Sequence, residues 1–375
     1  MPYSQSALYL TALRWWSRIP SSLSGHDRDH SAGTKRKYLG VRKQFSEDIT
    51  VTETTPPDLS QPLLIDPAQS SPAAPTTSLG PLQHLVGTWT NQPLANSGLG
   101  GPDKPFSYCL MPLPQEASYI LKNFSYYEEL TFSAIHGTAP NRGGLGTQVA
   151  NTLFYEQRVY FAEGPAKDQL VHAENGSLLY LSDAKQLLGP YGNGENPGIG
   201  DETVPNSVPP TQTYDFIKQM SVPHGNSILA SGHFQTGTGV PTIPMLSQND
   251  ILPMGLPHGI STDQYTTKSV GNLNPDFTLN PNQPLNNALE VSPPKKFILL
   301  EVDTAHSGIP VTNIGFEQQH AKVSRYAISY WLESLDGSDN FTQLQYSQNI
   351  TMEIPIAGQL VTFPHITTNT MVKKA

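Results

Sequence analysis

The stretch Asn349-Ile-Thr-Met-Glu-Ile-Pro-Ile-Ala-Gly-Gln-Leu-Val-Thr-Phe-Pro-His365-Ile-Thr-Thr-Asn-Thr-Met-Val-Lys-Lys374 decides the fold. Two runs of strand-forming residues flank Ala357-Gly358, a turn dipeptide between extended segments. Side chains alternate between faces in an extended chain, so Val361, Phe363, His365 and Met371 share one face. An imidazole among apolar neighbours has two readings. It can ligate a metal through one ring nitrogen, or it can be a buried histidine bonded to a backbone carbonyl. Taken alone, the stretch favours the carbonyl-bonded reading.

Composition extends the β reading to the whole chain. Of 375 residues only 14% are charged, with 34 Pro and 30 Gly, a balance that suits strands and loops rather than helices. The net charge of −9 argues against nucleic acid as a partner, since phosphate binding needs a basic surface. The single Cys109 excludes an internal disulfide and a cysteine-based zinc site. No apolar run reaches the roughly 20 residues of a membrane-spanning helix.

Residues 1–80 read as a disordered leader, and residues 81–375 as the folded domain. The leader begins Arg-rich and acid-poor and continues Thr/Pro/Ser-rich from Thr50 to Ser78. A mitochondrial transit peptide is the alternative to a cytoplasmic protein with an unstructured tail. Strand-like runs then cover Ser118–Ile135, Val149–Ala162, Leu170–Ser182, Tyr214–Phe234, Lys296–Thr304, Ala321–Leu335 and Phe341–Ile356. Turns are expected at Asn175-Gly176 and Asp336-Gly337. About ten strands joined mainly by short turns predict a closed antiparallel barrel, which leaves no exposed edge. Leu187–Gln212 and Gln235–Pro294, rich in Gly, Pro and Asn, read as two long loop insertions.

Several motifs then fall in a recognisable order. They are Pro81-Leu-Gln-His-Leu-Val-Gly-Thr-Trp89, Phe124-Ser-Tyr-Tyr-Glu-Glu-Leu-Thr-Phe132, Phe154-Tyr-Glu-Gln-Arg158, Leu170-Val-His-Ala-Glu-Asn-Gly-Ser-Leu178, Ser221-Val-Pro-His-Gly-Asn-Ser-Ile-Leu229, the run from Val323-Ser-Arg-Tyr-Ala327 to Gln345-Tyr346, and Gly358-Gln-Leu-Val-Thr-Phe-Pro-His365-Ile366. In this order the chain resembles the nitrobindin family, haem-binding β-barrels of the calycin type that are also described as fatty-acid-binding-like. The resemblance implies haem b as cofactor, with His365 as the iron ligand and the centre of any catalysis. Phe363 and Ser107 would be haem contacts. It also implies a small diatomic or peroxide ligand, with nitric oxide binding, isomerisation of peroxynitrite to nitrate or weak peroxidase activity. After Trp89 the chain departs from the family's glycine-rich loop. The alternative function is a non-enzymatic carrier of a fatty acid or other small apolar molecule. A homodimer is compatible with either function.

Other candidates have plainer readings. His172 and Glu174 share a strand face and read as a structural hydrogen-bonded pair; Glu128, Glu129 and Arg158 read as strand ion pairs. His224 and His233 lack the further ligands of a zinc site. His136 and His258 fall in expected loops, where either could serve as a distal residue. No G-x-S-x-G elbow, P-loop or Rossmann glycine pattern is present.

Overall fold

The computed structural model describes residues 79–92, 105–140, 148–183, 214–267, 273–307 and 310–374. The expected leader, apart from Leu79 and Gly80, lies outside them, as does the expected insertion 187–212.

Among the described residues thirteen strands form in chain order: β1 (Gly87–Thr90), β2 (Tyr108–Gln115), β3 (Ser118–Lys122), β4 (Tyr126–Pro140), β5 (Gln148–Phe161), β6 (Leu170–Asp183), β7 (Phe216–Ser221), β8 (Asn226–Thr238), β9 (Lys296–Asp303), β10 (Thr312–Asn313), β11 (Lys322–Ser334), β12 (Gln343–Ile356) and β13 (Gln359–Lys373). Ten close on themselves in the order β1-β4-β5-β6-β7-β8-β9-β11-β12-β13, and β13 returns to β1 through Trp89↔Lys373 and Thr90↔Val372. Every pairing in the ring is antiparallel. This closed ten-strand barrel is consistent with a calycin-like fold. No described helix is long and apolar enough to cross a membrane.

The expected strands and turns hold with three corrections. The run from Ser118 is two strands, because residues 123–125 are not extended and β3 turns away to pair with β2 outside the ring. The run from Tyr214 breaks at residues 222–225 into β7 and β8. Asn175-Gly176 is no turn: both residues lie within β6, paired to β5 and β7. Gly176 is required there by a close approach, since a Cβ on it would stand 2.0 Å from the Gln219 carbonyl oxygen. The turn at Ala357-Gly358 is real, with φ of 47° and 79°, a two-residue loop with both residues left-handed. Gly337 likewise takes a φ of 86° between β11 and β12.

Inside the barrel, Trp89, Leu130, Phe132, Leu153, Leu178, Ile298, Leu332, Leu344 and Met371 are buried in one apolar cluster. Leu82 and Leu85 of the 3-10 turn Gly80–Leu85 belong to the same cluster and stopper it. Trp89 Nε1 donates to the Leu85 carbonyl at 2.7 Å, tying the turn to β1. Each such side chain taken from water contributes roughly 1.5–3 kcal/mol.

The second expected insertion is only partly a loop. β8 runs on to Thr238, and the segment after it forms short helices, among them Gln283–Val291. Ile243, Leu285 and Leu289 pack on Trp331. Ile251, Tyr265, Leu273 and Phe277 join Tyr108, Leu110, Tyr119, Ile354, Val361, Phe363 and Ile366 in another core. Sparse apolar residues among Pro and Asn hide this packing from any periodicity test.

Candidate functional site

Register sets which side chains meet inside. β12 and β13 pair Leu344 with Met371, Tyr346 with Asn369, Gln348 with Thr367 and Ile350 with His365. Leu344, Tyr346 and Met371 belong to the interior cluster, so the pleat puts Asn369, Thr367 and His365 on the same inward row. Moving from Met371 to His365, the row passes from apolar to polar.

The His365 end is where β13 changes partner. It pairs with β1 at Val372–Lys373 but with β2 at Ile366–Thr368. That exchange brings the Leu110 carbonyl to 3.0 Å from His365 Nδ1. A carbonyl can only accept, so the proton sits on Nδ1 and the lone pair is on Nε2. Burial pushes the imidazole pKa down to about 4, so the ring is neutral at pH 7. Among the described residues no hydrogen bond is made by Nε2. The carbonyl-bonded reading of the histidine is met, and that bond leaves Nε2 as the nitrogen with the lone pair.

Across the interior stand two buried carboxyls with opposite electrostatics. Glu174 is desolvated, which alone would raise its pKa, but Lys218 at 3.3 Å, His172 and Tyr155 together lower it to about 2. Tyr155 donates to Glu174 Oε1 at 2.6 Å, and Lys218 also donates to the Tyr330 hydroxyl at 2.9 Å. Glu128 lies wholly buried without a cation of that kind, and burial pushes it up to about 7. The Tyr346 hydroxyl donates to its Oε2 at 2.7 Å. His172 acts electrostatically on both His365 and Glu128, which ties the two carboxyls and the histidine into one interior.

The other sequence candidates fall as follows. Phe363, two residues before His365, is fully buried against Tyr119, with ring centroids 4.9 Å apart. Ser107 precedes β2 and is hydrogen-bonded with Tyr126, whose hydroxyl donates to the Thr368 carbonyl. His172 Nε2 lies 3.7 Å from Glu174 Oε2, as the paired reading expected, with the His224 ring edge-on at 5.4 Å. His233 faces Asp215 at 3.4 Å; His258 is exposed in a loop as expected, whereas His136 is an exposed residue of strand β4 and not of a loop. Glu129 and Arg158 are the ion-paired strand charges expected, with Lys374 and Glu156 respectively. Glu128 corrects the sequence expectation: it is an interior group and not a surface charge.

The sequence reading missed Lys218, Tyr346 and the inward position of Glu128. Parity carried the signal. Phe216, Lys218 and Met220 alternate on β7, and Glu128, Leu130 and Phe132 on β4.

Among the described residues no group of three or more His, Cys, Asp or Glu is arranged to hold a metal ion. A haem iron asks for one protein ligand, and the donor chemistry at His365 fits that demand: a neutral imidazole, oriented by a carbonyl behind it. Comparisons with protein-family models, with curated proteins and with solved structures find no match to this chain.

Proposed function

We propose that the barrel binds haem b through His365 Nε2 and handles small reactive nitrogen or oxygen species, either binding nitric oxide or isomerising peroxynitrite to nitrate. The observation that carries the reading is the Nδ1–H bond to the Leu110 carbonyl, on a neutral ring of the inward row. This bond fixes the tautomer and makes the free nitrogen a better donor. The resemblance of Gly358–Ile366 and the earlier motifs to nitrobindins supplies the cofactor, and the closed barrel is compatible with it. Bound haem would supply a Lewis-acid iron with a coordination position open to the small ligand. The chain's own part is to hold the ligating ring in place and to exclude water with the apolar rows around Ile350 and Phe363. It also keeps the nearby Glu174 charge neutralised by Lys218.

The test is the absorption spectrum of the protein purified with haem supplied, for wild type and His365→Ala. The expected result is a Soret band of a His-ligated haem that is lost or shifted to a weakly ligated form in His365→Ala. No Soret band in wild type, or an unchanged one in the variant, ends the reading. Fatty acid retained by the haem-free protein would instead favour a carrier.

A further inference from the structure

Five tyrosines are buried in the interior around the two carboxyls: Tyr126, Tyr155, Tyr326, Tyr330 and Tyr346. Their hydroxyls differ in what they touch, and the difference has chemical meaning. A phenol that loses an electron becomes a very strong acid. Its oxidation is therefore accessible only where a base within hydrogen-bond reach takes the proton in the same event. Tyr126 donates to the Thr368 carbonyl and Tyr326 to the Gln348 amide oxygen, neither of which is a base. Tyr330 receives a hydrogen bond from the Lys218 ammonium, which opposes loss of an electron. Tyr155 donates to Glu174, but Lys218 holds that carboxylate as a very weak base. Tyr346 alone of the five donates to a carboxyl that has no such cation beside it, Glu128 at 2.7 Å.

We propose that Tyr346 is a redox-active side chain, which gives one electron to an inorganic one-electron oxidant of the nitrogen dioxide class while its phenolic proton passes to Glu128. The O–H bond of Tyr346 breaks, an O–H bond forms at Glu128 Oε2, and the oxidant gains the electron, nitrogen dioxide becoming nitrite. The electron crosses the barrel wall by tunnelling, so the oxidant need not enter. Burial keeps the proton on Glu128, and the pair is restored when a small one-electron donor of the ascorbate or thiolate class supplies an electron and Glu128 returns its proton to the phenolic oxygen. The Tyr330 ring on β11 has its centroid 6.1 Å from that of Tyr346, and the Tyr126 hydroxyl is within hydrogen-bond reach of the Tyr346 hydroxyl.

Glu128 has the basicity that this needs. Its pKa near 7 means that it is part ionised at neutral pH and holds a proton once it has one. The groups that bear on it are Tyr126 on its own strand, Cys109 on β2, Gln157 on β5, His172 on β6, Tyr330 on β11, Tyr346 on β12 and Asn369 on β13. Both amides stand near enough to favour the charged form, yet neither meets Oε1 with hydrogen-bond geometry. The inference does not require haem at His365, and it is tested without haem.

The haem-free full chain is oxidised by photogenerated ruthenium(III) trisbipyridine, and the tyrosyl radical is followed by its absorption and by electron paramagnetic resonance. Exposed tyrosyls decay quickly by pairing, so the buried radical is the long-lived fraction. Wild type should give a long-lived radical whose yield rises about ninefold from pH 6 to pH 8, as the ionised share of Glu128 goes from about one tenth to about nine tenths. Tyr346→Phe should abolish it, Glu128→Gln should lower it at least tenfold and remove the pH dependence, and Tyr155→Phe should leave it intact. A long-lived radical that survives in Tyr346→Phe overturns the proposal. So does an equal yield in Glu128→Gln. The wild-type pH profile stands free of any folding defect in the variants, and a flat profile is equally fatal.

Discussion

Two buried carboxyls cost the fold stability at alkaline pH. Burial pushes Glu128 up to about 7 and Glu333, whose Oε2 accepts a hydrogen bond from Gln343 Nε2, to about 8, against 4.5 for an ordinary glutamate. Below pH 4.5 both folded and unfolded chains carry the protons, and the full stability is present. As pH rises from 4.5, the unfolded chain releases protons that the folded one keeps, and stability falls until the folded pKa is passed. The loss is on the order of 3 kcal/mol for Glu128 and on the order of 5 kcal/mol for Glu333. Glu128→Gln and Glu333→Gln should therefore raise the urea midpoint at pH 8 and leave it nearly unchanged at pH 4. A lowered midpoint at pH 8 in both would count against the buried, uncompensated state. Glu174 has the opposite sign, since its pKa lies below the unfolded value: its contribution is present above 4.5 and is lost as pH falls towards 2. His365 was legible in the sequence as a residue but not as a tautomer. The Leu110 carbonyl comes from a strand 255 residues away, and no local pattern encodes it.

At the scale of elements, alternation was legible wherever a strand has one wet face, as in β5 and the first part of β11. It failed where a glycine stood for contact rather than for a turn. Gly176 has ordinary strand pairing and almost no distance to the Gln219 carbonyl, whereas Gly358 has a left-handed φ and open space around it. The two substitutions should separate accordingly. Gly358→Ala should cost about 1 kcal/mol, the price of a left-handed alanine. Gly176→Ala should cost several times more, because β6 and β7 cannot both keep their places. Thermal unfolding of the two variants side by side checks this, and equal losses would refute it. The hairpin β2–β3 escaped the sequence for another reason: its strands are short, and β13, the other partner of β2, is far along the chain.

For the whole molecule, the segment after β8 is a second wall laid over the barrel. Thr238 and Lys296 are cross-strand partners, so a short turn could join β8 to β9 directly and leave the ring intact. What such a deletion uncovers is the outward side of β11 to β13: Trp331, buried polar groups such as Gln345 and Ser347, and Ile366. With residues 240–294 replaced by a tight turn, the barrel should keep its β circular dichroism and associate, with light scattering rising at micromolar concentration. A monodisperse, equally stable variant would mean that the outer wall is dispensable.

The seam between β1 and β13 has a kinetic meaning. Trp89 and Lys373 meet across nearly the whole described chain, while β12 and β13 are joined by two residues. The hairpin bearing His365 can thus form early and locally, but the ring closes only through the most distant pairing it contains. Until then the strands of an open sheet offer free edges to other chains. Folding yield should accordingly be limited by closure at Trp89 and Thr90, far in the structure from the histidine whose surroundings that closure completes.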